Sequence, residues 1–259
     1  MKLIQRLNKL LEDISMRKVN TLLLLAGLIV VTPTAFAAKV NPYDYSKHKN
    51  AINDAKWQRG HSSEQRCYST GCESTMDSNS NQKYIWADNK NSQLHFSTDG
   101  NQDTGWRSEL RFNANFFRGS SRTLTARFGY WAGRSTSKGF TVAQLHMDGN
   151  EGWTVKGPPA RLEIIDEDYF EVTFRKGHDC TSSCWTDERF STSVSGWKDI
   201  QLQTSGNYIN VTVQGQTHSY NLSGSGKDWP SKGGYYWKTG LYMQKSGTCL
   251  LYTSPSPRD

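Results

Sequence analysis

Tyr208-Ile209-Asn210-Val211-Thr212-Val213 places an apolar side chain at every second position, and Gln214-Gly215-Gln216 then turns the chain into Thr217 to Leu222. Side chains alternate between the two faces of a strand, so this period marks a half-buried strand and the whole segment a β-hairpin. Short runs of the same kind recur along the chain, separated by turn residues. They are Gln93 to Ser97, Ser108 to Phe112, Arg122 to Tyr130, Thr141 to His146, Arg161 to Ile165, Phe170 to Arg175, Lys198 to Gln203 and Gly234 to Gln244. Long patterns of helical period are absent from the region after residue 37. About nine or ten strands over about 200 residues predict an all-β fold, a sandwich of two antiparallel sheets in one domain. Lys39 to Trp57 fits no strand pattern and is open to a short helix. There is no internal repeat and no long linker.

Both ends of the chain depart from this pattern. Thr21 to Val31 is an almost unbroken apolar run, preceded by Arg17 and Lys18 and followed by Ala35-Phe36-Ala37. A basic region, a short apolar region and an A-x-A site describe a secretory signal over residues 1–37, with cleavage after Ala37. The run is short of the roughly 20 residues that span a bilayer, and no Cys follows it to carry a lipid. Met16 is an alternative start. At the other end, Cys249 to Asp259 reads as a translated sequencing adapter with no pattern that would pack. On that reading the domain is 38–248 and lacks its C-terminal strand, so the strand carrying Tyr242 should have a missing neighbour and exposed apolar surface beside it.

Composition bounds the partners. The chain carries 31 Lys and Arg against 24 Asp and Glu; the leader holds five and two of these, the tail one and one, which leaves 25 − 21 = +4 for the mature region. That excess suits an anionic partner, and export with scattered basic residues argues against nucleic acid. Without Cys249, four cysteines remain in two tight pairs, Cys67 with Cys72 and Cys180 with Cys184. In an exported chain such pairs point to two small-loop disulfides. A zinc site drawing on His178 is the alternative, although neither spacing is C-x-x-C.

Three segments carry the candidate chemistry. In Arg107-Ser108-Glu109-Leu110-Arg111, both arginines and the glutamate share a face opposite Leu110. In Gln144-Leu145-His146, the glutamine and histidine share a face and Leu145 points inward. In Tyr236-Trp237-Lys238-Thr239-Gly240-Leu241-Tyr242-Met243-Gln244, residues 236, 238, 242 and 244 share a face. Polar rows on adjacent strands would make the floor of a groove.

These segments, in this order, resemble the three signature segments of the family 7 alginate lyases. The resemblance runs from about Gln93 to Gln244 and implies a β-jelly roll whose concave sheet holds an acidic polysaccharide. It implies β-elimination at a uronate, with Arg107 and Gln144 holding and neutralising the carboxylate, His146 as base and Tyr242 as acid. For some uronate epimers the family's tyrosine fills both roles. Glu109, Arg111, Lys238 and Gln244 are the implied substrate-binding row, with Glu109 orienting an arginine rather than touching sugar. No metal or organic cofactor is implied, and the enzyme is expected to be a secreted monomer, free of the membrane once the signal is removed. Leu145 stands where the family usually has isoleucine or valine, and Trp237 and Met243 also depart from the commoner residues. These departures leave open which uronate polymer is cut, glucuronan included.

Two other functions compete. Glu163-Ile164-Ile165-Asp166-Glu167-Asp168 superficially resembles the acidic strand of a glycoside hydrolase. Retaining hydrolysis needs carboxyls about 5–5.5 Å apart, whereas Glu163 and Glu167 on one strand would be roughly 13 Å apart. The cluster therefore reads as a strand end and turn. A non-catalytic carbohydrate-binding jelly roll is the second rival, but binding alone needs no histidine and tyrosine beside an arginine row.

Overall fold

The computed structural model of the chain describes residues 39–40, 55–60, 66–67, 84–88, 93–98, 105–112, 115–131, 139–148, 157–166, 168–223, 229–244 and 250–254. The chain divides into two compact units, Met1–Phe36 and Ala37–Asp259, and every described residue belongs to the second. The first eight strands are β1 Lys39–Val40, β2 Ala55–Gly60, β3 Arg66–Cys67, β4 Ile85–Asp88, β5 Gln93–Ser97, β6 Arg107–Phe112, β7 Gly119–Trp131 and β8 Phe140–Met147. They are followed by β9 Ala160–Ile165, β10 Tyr169–Arg175, β11 Trp185–Ser193, β12 Trp197–Gly206, β13 Tyr208–Val213, β14 Gln216–Asn221, β15 Tyr235–Met243 and β16 Leu250–Ser254. No helix occurs among the described residues.

The strands form two eight-stranded sheets, in the orders β1-β4-β5-β16-β7-β12-β13-β14 and β11-β10-β9-β8-β15-β6-β2-β3. Every pairing is antiparallel, as in a β-jelly roll. Alternation decides which side chains meet between the sheets. Ile209, Val211 and Val213 of β13 are fully buried, as are Leu162 and Ile164 of β9, while Phe170, Val172 and Phe174 of β10 are at most 1% exposed. Large aromatic side chains fill the rest of the core, among them Trp57, Phe96, Phe128, Phe140 and Phe190. The hairpin between β13 and β14 has a two-residue loop, with Val213 opposite Gln216 and positive φ at both Gln214 and Gly215. That backbone matches the right-handed twist of the flanking strands.

Four sequence expectations change here. Among the described residues the strands number sixteen rather than nine or ten, because short strands and a charged edge strand carry little alternation. Of the region open to a helix, residues 39–40 and 55–57 are extended and the others lie outside the described residues. Residues 250–254, assigned above to a tail that would not pack, form β16 and pair with β5 on one side and β7 on the other. The strand carrying Tyr242, β15, lies between β6 and β8 and has no missing neighbour. Extended backbone supplies the same ladder of donors and acceptors whatever its side chains, and that ladder joins β16 to the strands beside it.

Cys180 and Cys184 are joined as a disulfide, which removes them from the zinc alternative. The Cys67–Cys72 pairing cannot be placed, since Cys72 lies outside the described residues. No helix of the described residues is long and apolar enough to cross a membrane.

Candidate active site

The three polar segments lie side by side on the second sheet, with β15 between β8 and β6. Lys238 is opposite both Gln144 and Arg111, Tyr236 is opposite His146, and Tyr242 is opposite Arg107 on one side and Thr141 on the other. The apolar alternates of these strands, Leu110, Leu145 and Leu241, are at most 1% exposed in the core. That anchoring turns the polar alternates onto the outer face.

Glu109 is the hub of this face. Its side chain is 1% exposed, and its Oε1 accepts a 2.6 Å hydrogen bond from Gln144 Nε2. Its Oε2 lies 3.7 Å from Lys238 Nζ and 3.8 Å from Arg107 Nη1. Glu109 sits opposite Gly240, so its carboxylate crosses β15 where that strand has no side chain. Arg111 Nη2 donates to Asp148 Oδ2 at 2.7 Å, and its guanidinium stacks 3.9 Å from the centre of the Tyr236 ring. The Arg107 guanidinium lies 4.6 Å from the centre of the Tyr242 ring. The Nε atoms of Arg107 and Arg111 are buried and hydrogen-bonded to nothing among the described residues.

His146 meets Tyr236 rather than Tyr242. Its Nδ1 lies 3.0 Å from the Tyr236 hydroxyl and 3.0 Å from the Met147 carbonyl oxygen, and the two rings stack with centres 5.2 Å apart. Withdrawal from water, with the positive charge of Lys238, Arg107 and Arg111, pushes the imidazole down from its ordinary value to about 3. The Met147 carbonyl pulls the other way. His146 is therefore neutral at neutral pH and can accept a proton.

The alginate lyase family model matches residues 59–252, which takes in all three strands and the whole of this face. The chain belongs to the alginate lyase family. It is a polysaccharide lyase that cleaves alginate, and its fold agrees with solved members of polysaccharide lyase family 7. Alginate lyase A1-II′ superposes with a TM-score of 0.64 at 16% identity, covering 84% of this chain and 96% of that one. Alginate lyase AlyC3 in complex with dimannuronate gives 0.68 at 15% identity, covering 84% and 93%. An alginate lyase from Pseudomonas aeruginosa, PA1167, gives 0.61 at 15% identity, covering 79% and 96%. No curated protein sequence matches the chain.

In this alginate lyase the signature residues fall into three contact groups. Arg107, Glu109, Gln144 and Lys238 gather at the hub, and Arg107 links them to Tyr242. His146, Tyr236, Arg111 and Asp148 form the second group. Gln244 belongs to a third: its Nε2 donates to Thr141 Oγ1 at 2.7 Å, and its Oε1 accepts from Arg161 Nη1 at 3.0 Å. Thr141 and Thr173 donate in turn to Glu163, at 3.2 and 3.3 Å. Burial raises the Glu163 carboxyl above its ordinary value, against the opposing pull of Arg161 and the two threonines.

Sequence reasoning missed Asp148, Arg161 and Thr141 and read Glu163 as part of a strand end and turn. The turn begins three residues later, at Asp166, where φ is 51°. Arg161 and Glu163 alternate with Leu162 and Ile164, and that period was the signal that could have placed them on the polar face.

Gly240 is required for its shape. Its φ is +133°, and a Cβ there would lie 2.5 Å from the Ser108 carbonyl oxygen and 2.8 Å from Glu109 Cα. The register of β15 against β8 also shifts between Thr239 and Tyr242. Gly240→Ala is expected to destabilise the fold by about 1–3 kcal/mol through backbone strain. Denaturant unfolding measures this, and an unchanged midpoint would show that β15 does not need the glycine conformation.

Proposed function

We propose that this outer face binds a uronate of alginate and removes its C5 proton. The C5 proton is weakly acidic while the neighbouring carboxylate is ionised, so the negative charge that develops there in the transition state must be stabilised. Arg107, Gln144 and Lys238 are the groups for that task. What carries the reading is the gathering of positive charge on this face: Arg107 and Lys238 share Glu109, and Arg111 pairs with Asp148, around an imidazole held well below its ordinary value. An anionic group is the complement of that arrangement. His146 takes the C5 proton, the C5–H electron pair forms the C4–C5 double bond, and the C4–O4 bond breaks as Tyr242 protonates O4. Glu109 positions Gln144, Arg107 and Lys238, and Asp148 positions Arg111.

The solved relatives support a polyuronate partner. AlyC3 is seen in complex with dimannuronate, and variants of A1-II′ with a product (GGG) and a substrate (GGMG). We assign residues 1–37 as the export signal and take the mature enzyme to act as a secreted monomer, with cleavage after Ala37 to be read by N-terminal sequencing of the exported protein.

Ultraviolet absorbance on mixing with alginate, polymannuronate, polyguluronate and glucuronan tests the function, because each elimination creates a conjugated double bond. A rise on alginate and one of its block polymers is expected. Tight binding with no rise on any polymer would mean a binding jelly roll or a hydrolase.

The pH profile tests the base. With His146 at about 3 in the free enzyme, the acid limb of kcat/KM is expected below about pH 5 instead of near 6.5. A limb centred near 6.5 would remove His146 as a base in this environment. The same shift links to stability. Between about pH 6.5 and 3 the unfolded imidazole binds a proton and the folded one does not, so stability falls as pH falls through that window.

A further inference from the structure

Arg161 lies on the same cross-strand row as Gln144 and Lys238, one strand beyond Gln144. Adjacent strands are about 4.8 Å apart, close to the advance of one sugar ring along an extended polysaccharide. After Arg161 the row continues through Thr173 to the exposed Asp187, so its positive stretch ends at Arg161.

The Arg161 side chain is held from several sides. Its Nη1 donates to Gln244 and its Nε to Thr173 at 3.3 Å, and its guanidinium stacks 4.3 Å from the centre of the Trp185 ring. Its Nη2 makes no hydrogen bond among the described residues, and its side chain is 17% exposed. Glu163 Oε1 lies 3.8 Å from Arg161 Nε, beyond hydrogen-bond distance, and burial raises that carboxyl above its ordinary value.

Trp185 is set in turn by the disulfide loop. It directly follows Cys184, and the Lys176 amide donates to the Cys184 carbonyl at 2.8 Å. The Arg175 guanidinium, 5.1 Å from the centre of the same indole, donates from Nε to the Gly177 carbonyl and from Nη2 to the Cys180 carbonyl. The backbone of Gly157 closes on the ring as well, since a Cβ there would come within 3.6 Å of it.

We infer that Arg161 is a second carboxylate site, taking the uronate next to the one being cleaved, and that the Cys180–Cys184 loop holds it ready by fixing Trp185 beneath its guanidinium. The inference rests on the proposed function of the hub. A stacked guanidinium keeps its in-plane N–H groups for a carboxylate and loses less freedom on binding than an unrestrained one.

The test is steady-state kinetics on alginate and on oligouronates of defined length. Arg161→Gln is expected to raise KM for the polymer about tenfold with kcat within about threefold, and to matter less for oligomers too short to reach it. Arg161→Lys, which keeps the charge but not the planar fork, should recover part of the loss and carries the test if the glutamine variant fails to fold. The Cys180→Ser/Cys184→Ser variant should raise KM in the same direction, and combining it with Arg161→Gln should add little. An unchanged KM in folded Arg161→Gln, a fall in kcat alone, or fully additive effects would each overturn the inference. A wild-type enzyme inactive on every polyuronate would instead overturn the function on which it rests.

Discussion

His146→Ala and Tyr242→Phe are each expected to lower kcat/KM on alginate by roughly 10²–10⁴-fold, the usual size of a positioned acid or base, and Tyr242→Phe should leave the unfolding midpoint nearly unchanged. Tyr242 is only partly buried, and its known neighbours on this face are the Arg107 guanidinium and the opposing Thr141, so removal of its hydroxyl leaves no core cavity. On the proposed mechanism the two groups act on one elimination, so the double variant should be far less impaired than the product of the single effects. Tyr236→Phe is the informative companion, because Tyr236, not Tyr242, is hydrogen-bonded to His146. If Tyr236→Phe abolished turnover and Tyr242→Phe did not, the proton delivered to O4 would come from the phenol beside the histidine. If His146→Ala kept most of its activity while Tyr242→Phe was inactive, the tyrosine would fill both roles and His146 would be reduced to holding the substrate.

Glu109→Ala should give the largest loss of stability on this face. The carboxylate is 1% exposed and its removal leaves Lys238, itself 3% exposed, and Arg107 without their shared counter-charge. Breaking a buried ion pair by deleting one partner costs about 3–5 kcal/mol, which for a domain of this size lowers Tm by roughly 10 °C. Gln144 would also lose the acceptor of its 2.6 Å hydrogen bond. Glu109→Gln keeps an oxygen for Gln144 and most of the packing, so it should fall between wild type and alanine. Chemical denaturation decides the matter. A Glu109→Ala protein within about 1 kcal/mol of wild type would show that water reaches the hub and that the carboxylate is not its organising charge.

Much of the architecture is legible because alternation is a local property. Each hydrophobic run in β5, β8, β9, β10 and β13 needs only its own residues to declare a strand and a buried face, and all five appear within a residue of where the sequence puts them. β11 was missed because it is an edge strand: Trp185 to Ser193 places charged and small residues where water, not the other sheet, meets them, and only Phe190 is buried. β16 was missed because its pairing depends on β5 and β7, strands far away in the chain.

The polar faces of the three signature segments were set by the sequence itself, since Leu110, Leu145 and Leu241 must enter the core and their alternates must leave it. The order of the strands on the sheet follows from long-range pairing that no local pattern encodes, and only the tertiary structure decided it. By placing β15 between β8 and β6, it laid Glu109 across Gly240 onto Gln144, paired His146 with Tyr236 and sent Gln244 to Arg161 instead of leaving it free on the groove. The charge around His146 has the same origin. Lys238, Arg107 and Arg111 come from two other strands, and burial together with their convergence holds that imidazole well below its ordinary value.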